Sequence, residues 1–179
     1  MADFDANSAE CAVFTYKEGL LSAVAHDLRI KVTRFSLSIA AGKVEARFDA
    51  RSLVVDSVIK DGRDAPGVLG ARDLDKIAKT IREEVLHADR HPEIVFRASD
   101  VKVSGERATI TGELALVGRS RQVTVQAARD GARWVAEVVL HQPDFGIKPY
   151  SAMLGALKIK PDVKVRVAVA AERVPGEMA

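Results

Sequence analysis

Apolar and polar residues alternate along most of this chain, the period-2 pattern of a strand with one buried face. Across residues 23–32, Val24, His26, Leu28, Ile30 and Val32 fall on one side and Asp27, Arg29 and Lys31 on the other. The apolar phase then shifts by one residue to Phe35, Leu37 and Ile39. A one-residue shift inside a long strand predicts a bulge or sharp bend, and bends of this kind favour a strongly curved sheet. Ala41-Gly42 reads as a turn into Val44, Ala46 and Phe48, and residues 53–59 form a less regular strand candidate.

One segment breaks the pattern. Leu74, Ile77, Ala78, Ile81 and Val85 recur at helical spacing and predict an amphipathic helix over residues 73–87. Lys79 stands four residues from both Asp75 and Glu83 on its polar side. His91-Pro92 is expected to stop it, because the residue before proline is driven out of the α region.

Alternation resumes at Ile94, Phe96 and Ala98 and runs through Val101 and Val103, then Ile110, Gly112, Leu114 and Leu116. Val123, Val125 and Ala127 follow, then Trp134, Ala136, Val138 and Leu140. Turns at Ser104-Gly105, Gly118-Arg119-Ser120 and Asp130-Gly131 separate these runs. Residues 142–146 read as a loop, residues 151–156 as a short helical turn, and Val163, Val165, Val167 and Val169 as the last strand. About eight strands joined by tight turns must split into two layers or close, and closure removes the edges. The expected fold is all-β: an eight-stranded up-and-down antiparallel β-barrel with one amphipathic helix near one end. It forms a single domain over residues 1–179 with its core at about residues 12–172.

Charge narrows the function classes. The 27 basic and 25 acidic residues are interspersed and leave a net charge of +2, with no basic block for nucleic acid or a membrane surface. No apolar run approaches a membrane span, so no integral membrane segment is expected. The single cysteine, Cys11, allows no intrachain disulfide and reads as a small buried apolar side chain. The acidic, polar first ten residues lack the basic and apolar regions of a secretion signal. The expected compartment is the cytoplasm, or the periplasm only if a leader has been removed.

Several segments, taken in order, resemble the YceI-like family of lipocalin-like, polyisoprenoid-binding proteins. They are residues 23–28 (AVAHDL) with the bent strand through Phe35, residues 84–96 (EVLHADRHPEIVF), residues 112–123 (GELALVGRSRQV) and Asp144-Phe145-Gly146-Ile147 with Met153-Leu154 behind it. The chain departs from the family pattern at His91, where tyrosine is usual before the proline, and at Gln142-Pro143, where an Arg-Ser pair is common. It also lacks the usual opening tryptophan and the secretion signal many relatives carry. The resemblance implies an extended eight-stranded barrel with a helix near one end, holding a long isoprenoid or similar lipid.

Eight strands leave an interior wide enough either to be filled by side chains or to hold one slender ligand. If hollow, the candidate wall comprises Val24, His26, Leu28, Ile30, Phe35 and Leu37 from the first bent strand. Phe96, Leu114, Leu116 and Trp134 follow from the later strands, and Phe145, Met153 and Leu157 from the C-terminal third. Plain core packing is the alternative for each. A buried Trp134 should find a partner for its indole N–H. His26 is the polar ring on an apolar face, suited to a ligand head group or to a structural hydrogen bond. The four histidines lack convergent ligand spacing, and no nucleophile motif is present, so no catalytic residue, metal or cofactor is assigned.

The expected function is non-catalytic binding, transport or storage of a long apolar molecule such as a polyisoprenoid, an isoprenoid quinone or a fatty amide. That small molecule is the expected partner, and a homodimer is compatible with the sequence. Two alternatives stand beside it. One is an enzyme acting on a lipid-like substrate through His26 or a His141–Asp144 pair. The other is a stress-response scaffold with a filled core and a large apolar surface patch.

Overall fold

The computed structural model describes residues 1–19 and 25–175. Among them the first strands are β1 (Ala2–Asp5), β2 (Ala9–Thr15) and β3 (Lys17–Glu18). β4 (Asp27–Val32), β5 (Phe35–Ala40), β6 (Lys43–Asp49), β7 (Leu53–Lys60) and β8 (Arg63–Asp64) precede the helix α1 (Ala71–Thr80). After it come β9 (Glu93–Ser104), β10 (Arg107–Leu116), β11 (Arg119–Asp130) and β12 (Arg133–His141). The chain closes with β13 (Ser151–Ala152), β14 (Leu157–Ile159) and β15 (Asp162–Ala170).

Twelve of these strands form one large, curled antiparallel sheet, ordered β1-β5-β6-β9-β10-β11-β12-β15-β2-β4-β7-β8, and β13-β14-β3 form a small second one. The twelve replace the eight of the sequence reading for two physical reasons. Long strands are cut at bends, and N-terminal residues outside the expected core at about residues 12–172 pair as β1 and the start of β2. Phe4 and Cys11 are both buried there.

The bend between β4 and β5 coincides with the phase switch. β4 buries Leu28, Ile30 and Val32, whereas β5 buries Phe35, Leu37 and Ile39. Two residues, Thr33 and Arg34, take up the change. Thr33 donates from both its N–H (3.3 Å) and its hydroxyl (2.9 Å) to the Ser52 carbonyl. The Arg34 N–H donates to the Ser52 hydroxyl at 3.0 Å, and the Asp49 N–H donates to the Arg34 carbonyl. The adjoining strand bends at the same level, through a short 3-10 turn, Ala50–Ser52, between β6 and β7. Asp49 caps that turn by accepting from the Arg51 N–H. Both strands thus turn together, and the backbone groups freed by the break are bonded across it.

The helix runs from Ala71 to Thr80 and continues as a π-turn over Ile81–Val85, so it starts two residues earlier than expected. It ends well before His91-Pro92. His87 adopts a left-handed φ of 47°, and the Ala88 N–H turns back to the Arg82 carbonyl, which reverses the chain first. α1 packs on β7, with Leu74, Ile77, Ala78 and Ile81 against the cluster of Leu28, Ile30, Leu53 and Val55. A second cluster, around Phe4, Phe96, Leu114, Trp134 and Phe145, packs the other part of the sheet.

Candidate functional site

The inward faces of the strands do not meet. They enclose a cavity of about 590 Å³ whose wall includes residues of β2, β4 to β7, β9 to β12, β14 and β15. Val123, Val125, Val163, Val165 and Val167 all line it and are only half-buried, although they carry the inward phase of their strands. A valine in a filled core has no reason to retain exposed surface, so the hollow accounts for them. On the helix side the wall is made by Leu69, Ile77, Ile81, Val85 and Leu86.

Most of the residues expected on this wall are there: His26, Leu28, Ile30, Leu37, Phe96, Leu114, Leu116, Trp134, Phe145 and Leu157. Val24 lies outside the described residues. Two expectations are corrected. Phe35 is buried but is not part of the cavity wall; it sits at the bend, where its ring packs behind Phe48 with centroids 5.7 Å apart. Met153 is 65% exposed, because residues 153–155 form a 3-10 turn beyond β13 where no strand phase directs the side chain inward. The helical turn expected over residues 151–156 is thus present as this 3-10 turn, after the two strand residues Ser151–Ala152.

The loop expected at residues 142–146 is a 3-10 turn, Gln142–Phe145, ended by Gly146 at φ 70°. It directs Phe145 into the interior, where it is 2% exposed. A side chain at Gly146 would meet the Arg119 guanidinium at 2.7 Å, so the glycine also lets that arginine lie across the turn.

The wall is apolar with few exceptions. Charged side chains on it are Asp49, Asp73 and Lys76 among the described residues. Asp49 already accepts from Arg34 at 2.8 Å and from Arg51 at 3.1 Å. Burial opposes its ionisation, but these bonds outweigh that and hold its carboxyl below the usual range. Cys11, on the same wall, has its thiol pushed up to about 12 by burial. Among the described residues, two buried polar atoms on the wall have no hydrogen-bond partner: the Thr15 hydroxyl and the Trp134 indole nitrogen. No described residue supplies the partner expected for Trp134.

Among the wall residues that sequence did not single out are two polar ones at strand ends, Thr15 and Gln142. Each continues the inward phase of a strand, Cys11-Val13-Thr15 and Val138-Leu140-Gln142. That phase was the available signal, although a polar residue at the end of an alternating run also reads as the strand's end.

Elsewhere, the titratable pairs among the described residues lie apart from the cavity. His141 binds Asp162 through Nδ1 at 2.7 Å on an exposed face; neither it nor Asp144 lines the cavity. His87 Nδ1 contacts the Glu83 carbonyl at 3.0 Å. Among the described residues, no three His, Cys, Asp or Glu side chains converge as a metal site would need. No described helix is long and apolar enough to cross a membrane.

Comparison with known proteins places this geometry. Residues 4–171 match the YceI-like domain family. Among solved structures, BcnA of Burkholderia cenocepacia is similar, with a TM-score of 0.62 at 15% identity over 91% of this chain and 96% of that one. A polyisoprenoid binding domain from Saccharophagus degradans, implicated in plant cell wall breakdown, gives 0.58 at 13% identity over 95% and 99%. The YceI protein of Campylobacter jejuni gives 0.60 at 13% identity over 80% and 84%. No curated protein matches the sequence significantly.

Proposed function

This chain belongs to the YceI-like domain family, and from that premise we propose that it binds one long, thin, apolar molecule inside its sheet without transforming it. The observation that carries this reading is the 590 Å³ cavity walled mainly by aliphatic and aromatic side chains. Its size falls within the range of small-molecule sites. Burial of apolar ligand surface supplies the affinity, at about 25 cal/mol per Å² before the losses of association.

The pairing pattern supports a closed barrel. Followed through their bends, β1–β2, β4–β5 and β6–β7 become three long strands, and β9, β10, β11, β12 and β15 bring the number to eight. β2 pairs with both β15 and β4, and β5 pairs with β6, which passes the ladder to β9. Such a ring holds a slender chain. The polyisoprenoid named for the Saccharophagus domain is one fit among linear lipids, with isoprenoid quinones and fatty amides beside it. Carriage or storage, rather than catalysis, is supported by a wall on which no described acid, base and nucleophile are assembled together.

The test is organic extraction of protein purified without detergent, followed by mass spectrometry and by reloading of the stripped protein. A linear lipid approaching one per chain, or one-to-one uptake of all-trans-geranylgeraniol after stripping, is the expected result. Stripped protein that takes up no linear lipid would overturn the reading.

A further inference from the structure

Strand register brings three polar groups of the cavity wall, Thr15, His26 and Gln142, towards one level. Thr15 pairs with Leu28, two residues from His26, and the neighbouring rungs Phe14–Lys164 and Val163–Leu140 carry the same level round to β12. Gln142 lies just beyond. It shares the inward face of β12 with Trp134, eight residues and about 26 Å along the strand in the other direction.

Gln142 is held firmly. Its N–H donates to the Pro161 carbonyl at 2.9 Å, and its carbonyl accepts from the Ile147 N–H at 3.1 Å. Its side-chain Nε2 donates to the Lys160 carbonyl at 3.1 Å, and the Lys160 N–H donates to the Tyr16 carbonyl at 2.8 Å. One residue therefore ties Gln142 to the segment beside Thr15. The Nε2 bond also fixes which end of the amide is the acceptor. The side chain is only 8% exposed and lines the cavity, yet no described residue donates to its Oε1. Gln142 therefore offers the cavity wall an acceptor that no described donor occupies. The Thr15 hydroxyl, buried and unpartnered on the same part of the wall, needs only a χ1 rotation to reach a new partner.

We propose that Gln142 is the head-group anchor of this cavity, accepting a hydrogen bond from an uncharged O–H or N–H donor, the class of alcohols and primary amides. This rests on the apolar-ligand reading above and adds both an orientation and a head chemistry to it. The tail then runs towards Trp134, where the wall is packed with Phe4, Val169 and Val174. An anionic head is not matched here. The charged wall residues are two acids and one lysine, and Asp49 is already held by two arginines.

The test compares two probes with one chain, all-trans-geranylgeraniol and its methyl ether, which keeps the oxygen but has no hydrogen to donate. Binding to stripped protein is followed through the emission of Trp134, the sole tryptophan. Wild type should bind the alcohol about 5- to 10-fold more tightly than the ether, the worth of one neutral hydrogen bond in a dry site. Gln142→Leu should erase that preference by weakening only the alcohol, and its retained ether binding shows that the barrel is intact. If Gln142→Leu fails to fold, Gln142→Met serves in its place.

Equal affinities in wild type, or a preference that survives the substitution, would overturn the anchor while leaving the apolar-ligand reading standing. Failure of both probes to bind wild type would overturn that reading and the anchor with it.

Discussion

Cys11 shows at the scale of one residue what an apolar wall does to chemistry. Burial alone pushes its thiol from an ordinary 9.0 up to about 12. At pH 8 its thiolate fraction falls to about one part in ten thousand, and the thiolate is the reacting species. Alkylation by iodoacetamide should therefore be slower by about three orders of magnitude in the native protein than in urea. Native and unfolded rates within tenfold of each other would contradict the burial. The sign for stability follows from the raised value. The neutral thiol's contribution is fully present below 9.0 and is lost as pH rises towards about 12, so Cys11→Ala should flatten that alkaline decline. That Cys11 is buried was legible from its apolar neighbours. The inward role of Gln142 was not, because a polar side chain at the end of an alternating run looks like the start of a loop.

At the scale of elements, the paired bend at Thr33–Arg34 and Asp49–Ser52 shapes the cavity, since it lets two strands serve two parts of the sheet. Asp49→Ala removes the cap of the 3-10 turn and two arginine contacts, and should cost about 1–2 kcal/mol in urea unfolding. Because its carboxyl is held below the usual range, this contribution is present at neutral pH and lost as pH falls through the depressed value. Asp49→Asn should therefore narrow the gap between stability at neutral and at acid pH, and an unchanged gap would show that the pairing matters little.

Gly112 offers a second check. It stands at the register shift between β9 and β10, where an added Cβ would lie 2.3 Å from the Arg97 carbonyl oxygen. Gly112→Ala should destabilise by about 1–3 kcal/mol, the range for forced overpacking; a neutral result would mean that the bulge yields easily.

The one-residue phase switch announced the bend in advance, because Leu28-Ile30-Val32 and Phe35-Leu37-Ile39 cannot share a face of a straight strand. The N-terminal strands were missed because Asp3, Asp5 and Glu10 dominate a short stretch whose buried partners are single residues, Phe4 and Cys11. Met153 was misplaced for a related reason: outside a strand, hydrophobicity carries no direction.

For the molecule as a whole, the same alternation that predicts a curled sheet also selects what it encloses. Aliphatic side chains of moderate size line the inside, and aromatic residues make up only 5% of the chain, so the wall leaves a hollow. Sequence alone left that hollow undecided, because a filled barrel and an empty one share the same alternation. The half-buried inward valines of β11 and β15 distinguish them, and they are visible only in three dimensions.

The most direct measurement is a titration of lipid-stripped protein with all-trans-geranylgeraniol, read through Trp134 on the cavity wall. The account predicts a saturable change in emission with an end point at one ligand per chain. Emission unmoved by the titration, with no ligand retained after gel filtration, would contradict it.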